Sequence, residues 1–277
     1  MKEAFLSGYT EATFLLAPLA MKLVEDGVPI KIVYLGHRDG TALMVHKDSG
    51  IFRIEDMRGK RIAVPNRYSN QRFLIYKALK DRGMKLEDLD IIEMPPPDMA
   101  AALYARAVDG ITSGEPFMGQ TELDGYGRIL YLTKDVWPEF ISCVLAVRDD
   151  VILKDRGKVQ ALVDGIAKSG LWLDQHMNNR MQAAQFVSKG YYNQEPRLLE
   201  FVLSKPPDRV KYTNLSVRRP DFEEIQQIGL ESGILQKKLD FLQYADPSFV
   251  PPTATIEGFK FEDAASKAAA AEKGLIR

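Results

Sequence analysis

Apolar residues in the first half of the chain follow two spacings that alternate along the sequence. Short apolar runs bounded by turn residues predict strands, and apolar residues three or four positions apart predict helices. The helical spacing dominates from Asp150 onward. The predicted strands cover residues 12–16, 30–35, 42–46, 61–64, 90–94, 110–112, 129–132 and 142–147, and the predicted helices cover 18–26, 70–82, 98–107, 157–177, 179–189 and 219–232. This order of elements is typical of an α/β protein.

One short stretch, residues 95–117, combines a strand exit, a helix and a second strand. It reads PPPDMAAALYARAVDGITSGEPF. The prolines cannot continue a strand ladder, but a proline suits the first turn of a helix, and Asp98 is the predicted N-cap. Apolar residues follow at helical spacing until Asp109-Gly110, and a new extended run ends at Ser113-Gly114. The stretch therefore predicts a βαβ unit that ends in a turn facing a ligand.

Composition and charge exclude several classes of function. The chain has 45% hydrophobic and 27% charged residues and a formal net charge of -1. It therefore has no excess of positive charge that would favour binding to nucleic acid or to anionic membranes. No apolar run reaches the roughly 20 residues that a membrane-spanning helix needs. The lone Cys143, in an apolar run, predicts a buried structural thiol and excludes an internal disulfide. Three scattered histidines predict no metal site, and we expect no cofactor.

Two segments, about a hundred residues apart, are candidates for crossings between lobes. The first covers residues 41–47 and leads into the turn at 48–50, and the second covers residues 142–148. If both cross, residues 1–47 and 143–277 form a discontinuous lobe one, and residues 48–142 form lobe two. This layout predicts a clamshell whose ligand lies at the hinge between the lobes.

Several segments also resemble a known family in the same order along the chain. They include LSGYTEATFLLAPLAMKL at residues 6–23, GHRDGTALMV at 36–45 and DMRGKRIAVPNRYSNQRFLIYKAL at 56–79, followed by PPPDMAAAL, DGITSGEPF, DVW, KGYYN and YTN. Together they cover about residues 4–235 and resemble the substrate-binding proteins of nitrate, sulfonate and bicarbonate type ABC transporters, in a superfamily shared with thiamine-pyrimidine synthase-like proteins.

The resemblance implies a fold, a function and partners. The implied fold is a type II periplasmic-binding-protein-like clamshell, with a mixed sheet flanked by helices in each lobe. The implied function is a non-catalytic receptor that closes on a small organic or inorganic, oxyanion-bearing solute and delivers it to ABC permease and ATPase subunits. The alternatives are a cytoplasmic enzyme on the same fold, similar to chorismate dehydratase or pyrimidine synthase, and a ligand-sensing regulatory domain. We expect no enzyme, since no nucleophile elbow or phosphate loop is found in the sequence.

The sequence departs from the family pattern in two places. Family members begin with one more strand and helix of lobe one and with a signal peptide, whereas this chain starts inside that lobe. Residues 140–143 read FISC where the nitrate and bicarbonate branch carries a His-Pro-Glu-Lys-like stretch. The family implies a periplasmic or cell-surface location, and an authentic start at Met1 would instead imply a cytoplasmic one. The second departure argues against nitrate and bicarbonate as ligands.

The predicted ligand-binding residues lie at strand ends and at helix starts. Asn66, Ser69 and Asn70 precede or open the helix at 70–82, where free backbone N–H groups suit an oxyanion, although Ser69 or Asn70 can also simply cap this helix. Glu115 ends a strand, where α/β sheets place ligand groups, although a turn glutamate that caps the next helix is equally expected.

The remaining candidates flank the predicted hinge. His37 and Arg38 lie in a predicted polar loop, GHRDG, and can supply a hydrogen-bond donor and a charge, although a loop histidine is more often solvated. Trp137 is a candidate stacking wall, and Leu16 and Ala17 offer a backbone rim. Tyr191, Tyr192 and Tyr212 are weaker aromatic candidates, since single aromatic residues usually serve packing.

Overall fold

In a computed structural model of the protein, residues 2–251 are described. Their nine strands are β1 (Ala12–Leu15), β2 (Ile30–Asp39), β3 (Thr41–His46), β4 (Arg61–Val64), β5 (Asp90–Glu93), β6 (Gly110–Gly114), β7 (Gly127–Leu132), β8 (Ile141–Arg148) and β9 (Val210–Lys211). Their twelve α-helices are α1 (Lys2–Leu6), α2 (Ala17–Glu25), α3 (Asn70–Lys80), α4 (Pro96–Tyr104), α5 (Phe117–Leu123), α6 (Thr133–Val136), α7 (Asp149–Lys154), α8 (Arg156–Gln175), α9 (Met177–Val187), α10 (Pro196–Ser204), α11 (Arg219–Glu231) and α12 (Phe241–Tyr244). Short 3₁₀ turns at Ile54–Met57 and Leu86–Asp88 and a π turn at Ser188–Tyr192 complete these elements.

The strands form two separate sheets. The first has four strands in the order β1-β8-β2-β9, with every neighbouring pair antiparallel. The second has five strands in the order β5-β4-β6-β3-β7, in which β4 runs parallel to β5 and β6, whereas β3 runs antiparallel to β6 and β7. The predicted mixed α/β architecture is therefore confirmed, and β5, α4 and β6 form the predicted βαβ unit.

The chain passes between the sheets twice. The first passage is the turn at Gly40 between β2 and β3, where φ is +70°, a conformation that favours glycine. The second lies between α6 and β8. The predicted lobe one included β3, but β3 hydrogen-bonds only to strands of the five-stranded sheet, so the boundary between the sheets lies at residue 40 rather than 47. The division into two lobes itself stays a prediction, and residues 252–277 of the predicted lobe one lie outside the described range.

Each sheet lies at the centre of an apolar core. Helices α2, α8 and α11 cover the four-stranded sheet. In the five-stranded sheet, Leu43 and Val45 of β3 face α3, whereas Ala42 and Met44 face α4. This alternation follows from the two-residue period of a strand and leaves all of β3 buried. Phe73 of α3 joins the core of the other sheet, so α3 links the two.

One local prediction is wrong, and one helix was not predicted. Pro95, not Asp98, is the N-cap of α4, which begins at Pro96. Because prolines at the first helical positions have no N–H to satisfy, a side-chain cap is not needed there, and Asp98 instead places its charge in the first turn. Helix α10, which begins at Pro196, was not predicted. None of the helices within residues 2–251 is long and apolar enough to cross a bilayer.

Candidate functional site

A cavity of about 360 Å³ lies between the two sheets and is the candidate ligand site. Its volume lies within the range of small-molecule pockets, roughly 300–1,000 Å³. Both sheets contribute strand ends to it, and α9 and α10 form an apolar wall. The lining residues are Phe14, Gly36, His37, Gly40, Glu115, Pro116, Cys143, Val187, Leu199, Val202, Leu203, Val210 and Tyr212. Two of the nine predicted site residues, His37 and Glu115, line this cavity.

His37 reaches this cavity from the irregular end of β2. The prediction that GHRDG forms a polar loop is wrong, because residues 36–39 continue β2. Bulges in this part of β2 shift the register of its pairing with β8. Burial lowers the pKa of His37 to about 4, so the imidazole is neutral at pH 7. Its Nδ1 atom is buried and has no hydrogen-bond partner within residues 2–251. His37 therefore lines the cavity as a neutral imidazole.

Glu115 lies where β6 ends and is almost fully buried. Its Oε1 accepts from Nη1 of Arg209 at 2.9 Å, and its Oε2 accepts from the backbone N–H of Gly119 at 2.8 Å. Burial raises the pKa of Glu115, against the opposing effects of Arg209 and the Gly119 N–H. The carboxylate therefore binds the start of α5, as the turn reading expected, and also lines the cavity. Ligand binding by Glu115 stays a prediction.

Cys143, which was predicted to be a buried structural thiol, and Tyr212, a weaker aromatic candidate, also line the cavity. Cys143 of β8 pairs in register with His37 of β2 and is only partly buried. Burial raises its thiol pKa to about 12, so the sulfur is a neutral thiol. Gly36 is required beside it, since a Cβ there would lie well inside contact distance of Cys143 Sγ. The Tyr212 ring lies 6.2 Å from the His37 ring. No local pattern in the sequence places these residues together.

A smaller cavity of about 140 Å³ contains two other predicted residues, Asn70 and Trp137. Asn70 opens α3, and its Nδ2 donates to the carbonyl of Ile141 in β8, while its Oδ1 is buried without a partner among the described residues. Exchanging the amide atoms would bring two acceptors together, so this orientation is fixed. The Trp137 ring packs edge-on against Phe140, with centroids 5.6 Å apart. Asn70 thus ties the five-stranded sheet's helix to the other sheet.

Three predicted residues act locally at the starts of helices. Ser69 is the N-cap of α3, and its Oγ accepts from the Arg72 N–H at 3.2 Å. Asn66 holds the preceding turn, since its Oδ1 accepts from the Tyr68 N–H at 2.9 Å. Leu16 is the N-cap of α2. None of the three, nor the fully buried Ala17, lines either of the two cavities.

Arg38 lies in the protein interior, and each of its three guanidinium nitrogens donates a hydrogen bond. Its Nε donates to the carbonyl of Asn214 at 2.9 Å, Nη1 to the carbonyl of Glu139 at 2.8 Å and Nη2 to Oδ2 of Asp221 at 2.7 Å. It lines neither cavity. The predicted ligand charge is therefore used instead to hold α11 and the second passage against β2.

The donor set of the cavity offers little to a metal. Within residues 2–251, no three His, Cys, Asp or Glu side chains are grouped in a way that could hold a metal ion. The cavity's polar groups are one neutral imidazole, one neutral thiol, one phenol and one carboxylate that is already paired. This set suits hydrogen bonding to a small molecule.

Comparison with known proteins gives a consistent result. A model of the NMT1-like family matches residues 1–188. The chain is 22% identical over 191 residues to the nitrate import ATP-binding protein NrtC of Synechocystis sp., covering 63% of this chain and 28% of that protein. It is 32% identical over 174 residues to the taurine-binding periplasmic protein of Escherichia coli, covering 58% of this chain and 52% of that protein. The chain thus spans about half or less of these two curated relatives.

The ligand-binding component of an ABC-type import system from Staphylococcus aureus, solved with zinc bound, is similar in structure. It is 26% identical, with a TM-score of 0.78, and the match covers 90% of this chain and 82% of that chain. This likeness confirms the predicted fold, that of a type II periplasmic binding protein.

Proposed function

Because the chain belongs to the NMT1-like family, we propose that it is the solute-binding component of an ABC-type uptake system. The observation that carries this proposal is the cavity of about 360 Å³, which is lined by strand ends from both sheets. A ligand held there contacts both sides of the hinge at once. The taurine-binding and import-system relatives support the same role.

Binding in this proposal works through closure of the two sheets around the passages at residue 40 and before β8. Arg209 already joins the two sides, because its guanidinium pairs with Glu115 at 2.9 Å and with Glu122 at 2.6 Å. Lys77 of α3 and Glu224 of α11 form a second link, at 2.7 Å. A ligand that touches both sides favours the closed state only by its differential affinity for that state.

The ligand, partners and location belong to the same proposal. We propose a small solute, in line with the taurine-binding relative, and delivery to permease and ATPase subunits, in line with the import-system relatives. The periplasmic relative supports a periplasmic or cell-surface location. We propose that the chain does not catalyse a reaction, since the cavity pairs a neutral thiol with a neutral imidazole and its carboxylate is already bound to Arg209.

The test is a thermal-shift screen of the purified chain, confirmed by calorimetry. A ligand that binds only the folded state raises the melting temperature. The panel contains nitrate, bicarbonate, taurine, alkanesulfonates, aromatic carboxylates, amines and pyrimidines. A saturable shift by one class, with no chemical change in the recovered ligand, supports a receptor. Turnover of the ligand would instead indicate an enzyme on the same fold.

Two variants test the site itself. Glu115→Ala removes a carboxylate that lines the cavity and should weaken binding at least ten-fold while the chain stays folded. Asn70→Ala removes the amide that joins α3 to β8 and should weaken binding through a less stable closed state. Glu122→Gln is the matched control, because Glu122 also pairs with Arg209 but lines neither cavity. Unchanged affinity in both Ala variants would show that the ligand binds elsewhere.

A further inference from the structure

We propose that the cavity of about 360 Å³ receives an uncharged or cationic, largely apolar part of an organic ligand and disfavours a bare oxyanion. This inference rests on the proposed receptor function and narrows its ligand class. It separates organic solutes, which possess such a part, from inorganic anions, which do not.

The lining of the cavity is the first reason. Seven of its thirteen described lining residues are apolar, two are glycines, and none is Lys or Arg. The wall formed by α9 and α10 presents only Val187, Leu199, Val202 and Leu203. Transfer of an anion from water to such a surface costs far more than its neutral counterpart unless a cation or several donors replace the lost water. An apolar group gains free energy in the same place.

The charge balance around the cavity is the second reason. The nearby cation Arg209 is bound on both sides, by Glu115 at 2.9 Å and by Glu122 at 2.6 Å, so its charge is already paired within the protein. Lys211 is also engaged, because it pairs with Asp39 at 3.4 Å and with Glu139 at 3.5 Å. A ligand anion would therefore meet a carboxylate without meeting an unpaired cation.

The remaining polar groups favour a hydrogen-bonding partner without negative charge. The His37 imidazole is neutral and so supplies no positive charge to a ligand anion. Each oxygen of Glu115 accepts one hydrogen bond and retains capacity for a second, which a ligand N–H or O–H can supply. A ligand donor thus gains from the same carboxylate that repels an anion.

Cys143 provides a test that does not require the ligand to be known. It is the single cysteine of the chain, it lines the cavity, and it is partly exposed. The full chain is treated with aminoethyl, methyl and sulfonatoethyl methanethiosulfonates, which are cationic, neutral and anionic. Each rate constant is divided by the rate of the same reagent with mercaptoethanol. Because the thiolate fraction is the same for all three, the ratios report the field and the solvation within the cavity.

We expect the sulfonatoethyl reagent to react at least ten-fold more slowly, after this correction, than the aminoethyl and methyl reagents. Equal rates, or a faster anionic reagent, would overturn the inference. If none of the three modifies the folded chain while all three modify it in urea, small molecules do not reach the cavity, and the inference also fails. Cys143→Ser should abolish labelling and so shows that the signal comes from this thiol.

A pair of glutamate variants tests the physical cause. Glu115→Gln removes the carboxylate that lines the cavity and should reduce the difference between cationic and anionic reagents at least three-fold. Glu122→Gln removes a carboxylate from the same arginine outside the cavity lining and should change the difference less. An equal effect of the two variants would refute the assignment to Glu115. If the chain binds a solute of the panel but the anionic reagent reacts fastest, only the inference about the ligand class is refuted. If the anionic reagent reacts slowest but no solute binds, the result counts against the receptor function alone.

Discussion

Replacing Arg38 with methionine should cost about 3 kcal/mol of folding free energy. The side chain is fully buried and donates three hydrogen bonds, to Asn214, Glu139 and Asp221, at 2.7–2.9 Å. Removing one partner of a buried ion pair typically costs about 3–5 kcal/mol, because the other charge and its neighbours lose their compensation. Asp221 retains Arg218, at 2.8 Å, so we expect the lower end of that range.

Urea unfolding, followed by circular dichroism, measures this cost. With a slope of about 3 kcal/mol per molar, the midpoint should fall by about 1 M while the slope stays unchanged. Arg218→Met is the matched control, since Arg218 pairs with the same Asp221 but is 52% exposed, and exposed pairs contribute about 1 kcal/mol or less. Equal losses in the two variants would refute the argument from burial. Because Arg38 lines neither cavity, the folded variant should also keep its ligand affinity.

Three further predictions follow from burial, close packing and capping. Burial lowers the His37 pKa from 6.5 to about 4, so between these pH values the unfolded chain binds a proton that the folded chain does not. The free energy of unfolding should therefore fall by about 3 kcal/mol in total as the pH drops from 6.5 to 4. A His37→Asn variant should show a flatter pH profile of stability in urea titrations. Gly170→Ala should lower the thermal midpoint, at a cost of about 1–3 kcal/mol, because the added Cβ would collide with the Tyr212 carbonyl. In the same helix, the Cβ of Gly165→Ala would meet open space, so this control should stabilise the fold by about 0.5–1 kcal/mol. Ser69→Ala should cost about 1 kcal/mol through loss of the α3 cap, and no loss in urea unfolding would contradict that role.

Short-range patterns were sufficient for elements whose signals lie within their own residues. The strand at 61–64 and the start of the helix at residue 70 are both confirmed, because a bounded apolar run and a Ser cap act over one or two turns. Helix α10 carried a comparable signal, with Pro196 at its start and Leu198, Leu199 and Val202 on one face, but it was not predicted.

The sequence alone therefore determined the α/β class, most element positions and, through its resemblance, the family and fold. Only the tertiary structure decided that β3 pairs with β6 and β7, that Arg38 forms an ion pair with Asp221 and that Cys143 lies beside His37. Strand register and burial depend on pairings between residues about a hundred positions apart, and a period of two or 3.6 residues does not encode such a distance. The polarity of the cavity also depends on long-range contacts, because Arg209 pairs with Glu115 and Glu122, which are distant in the chain.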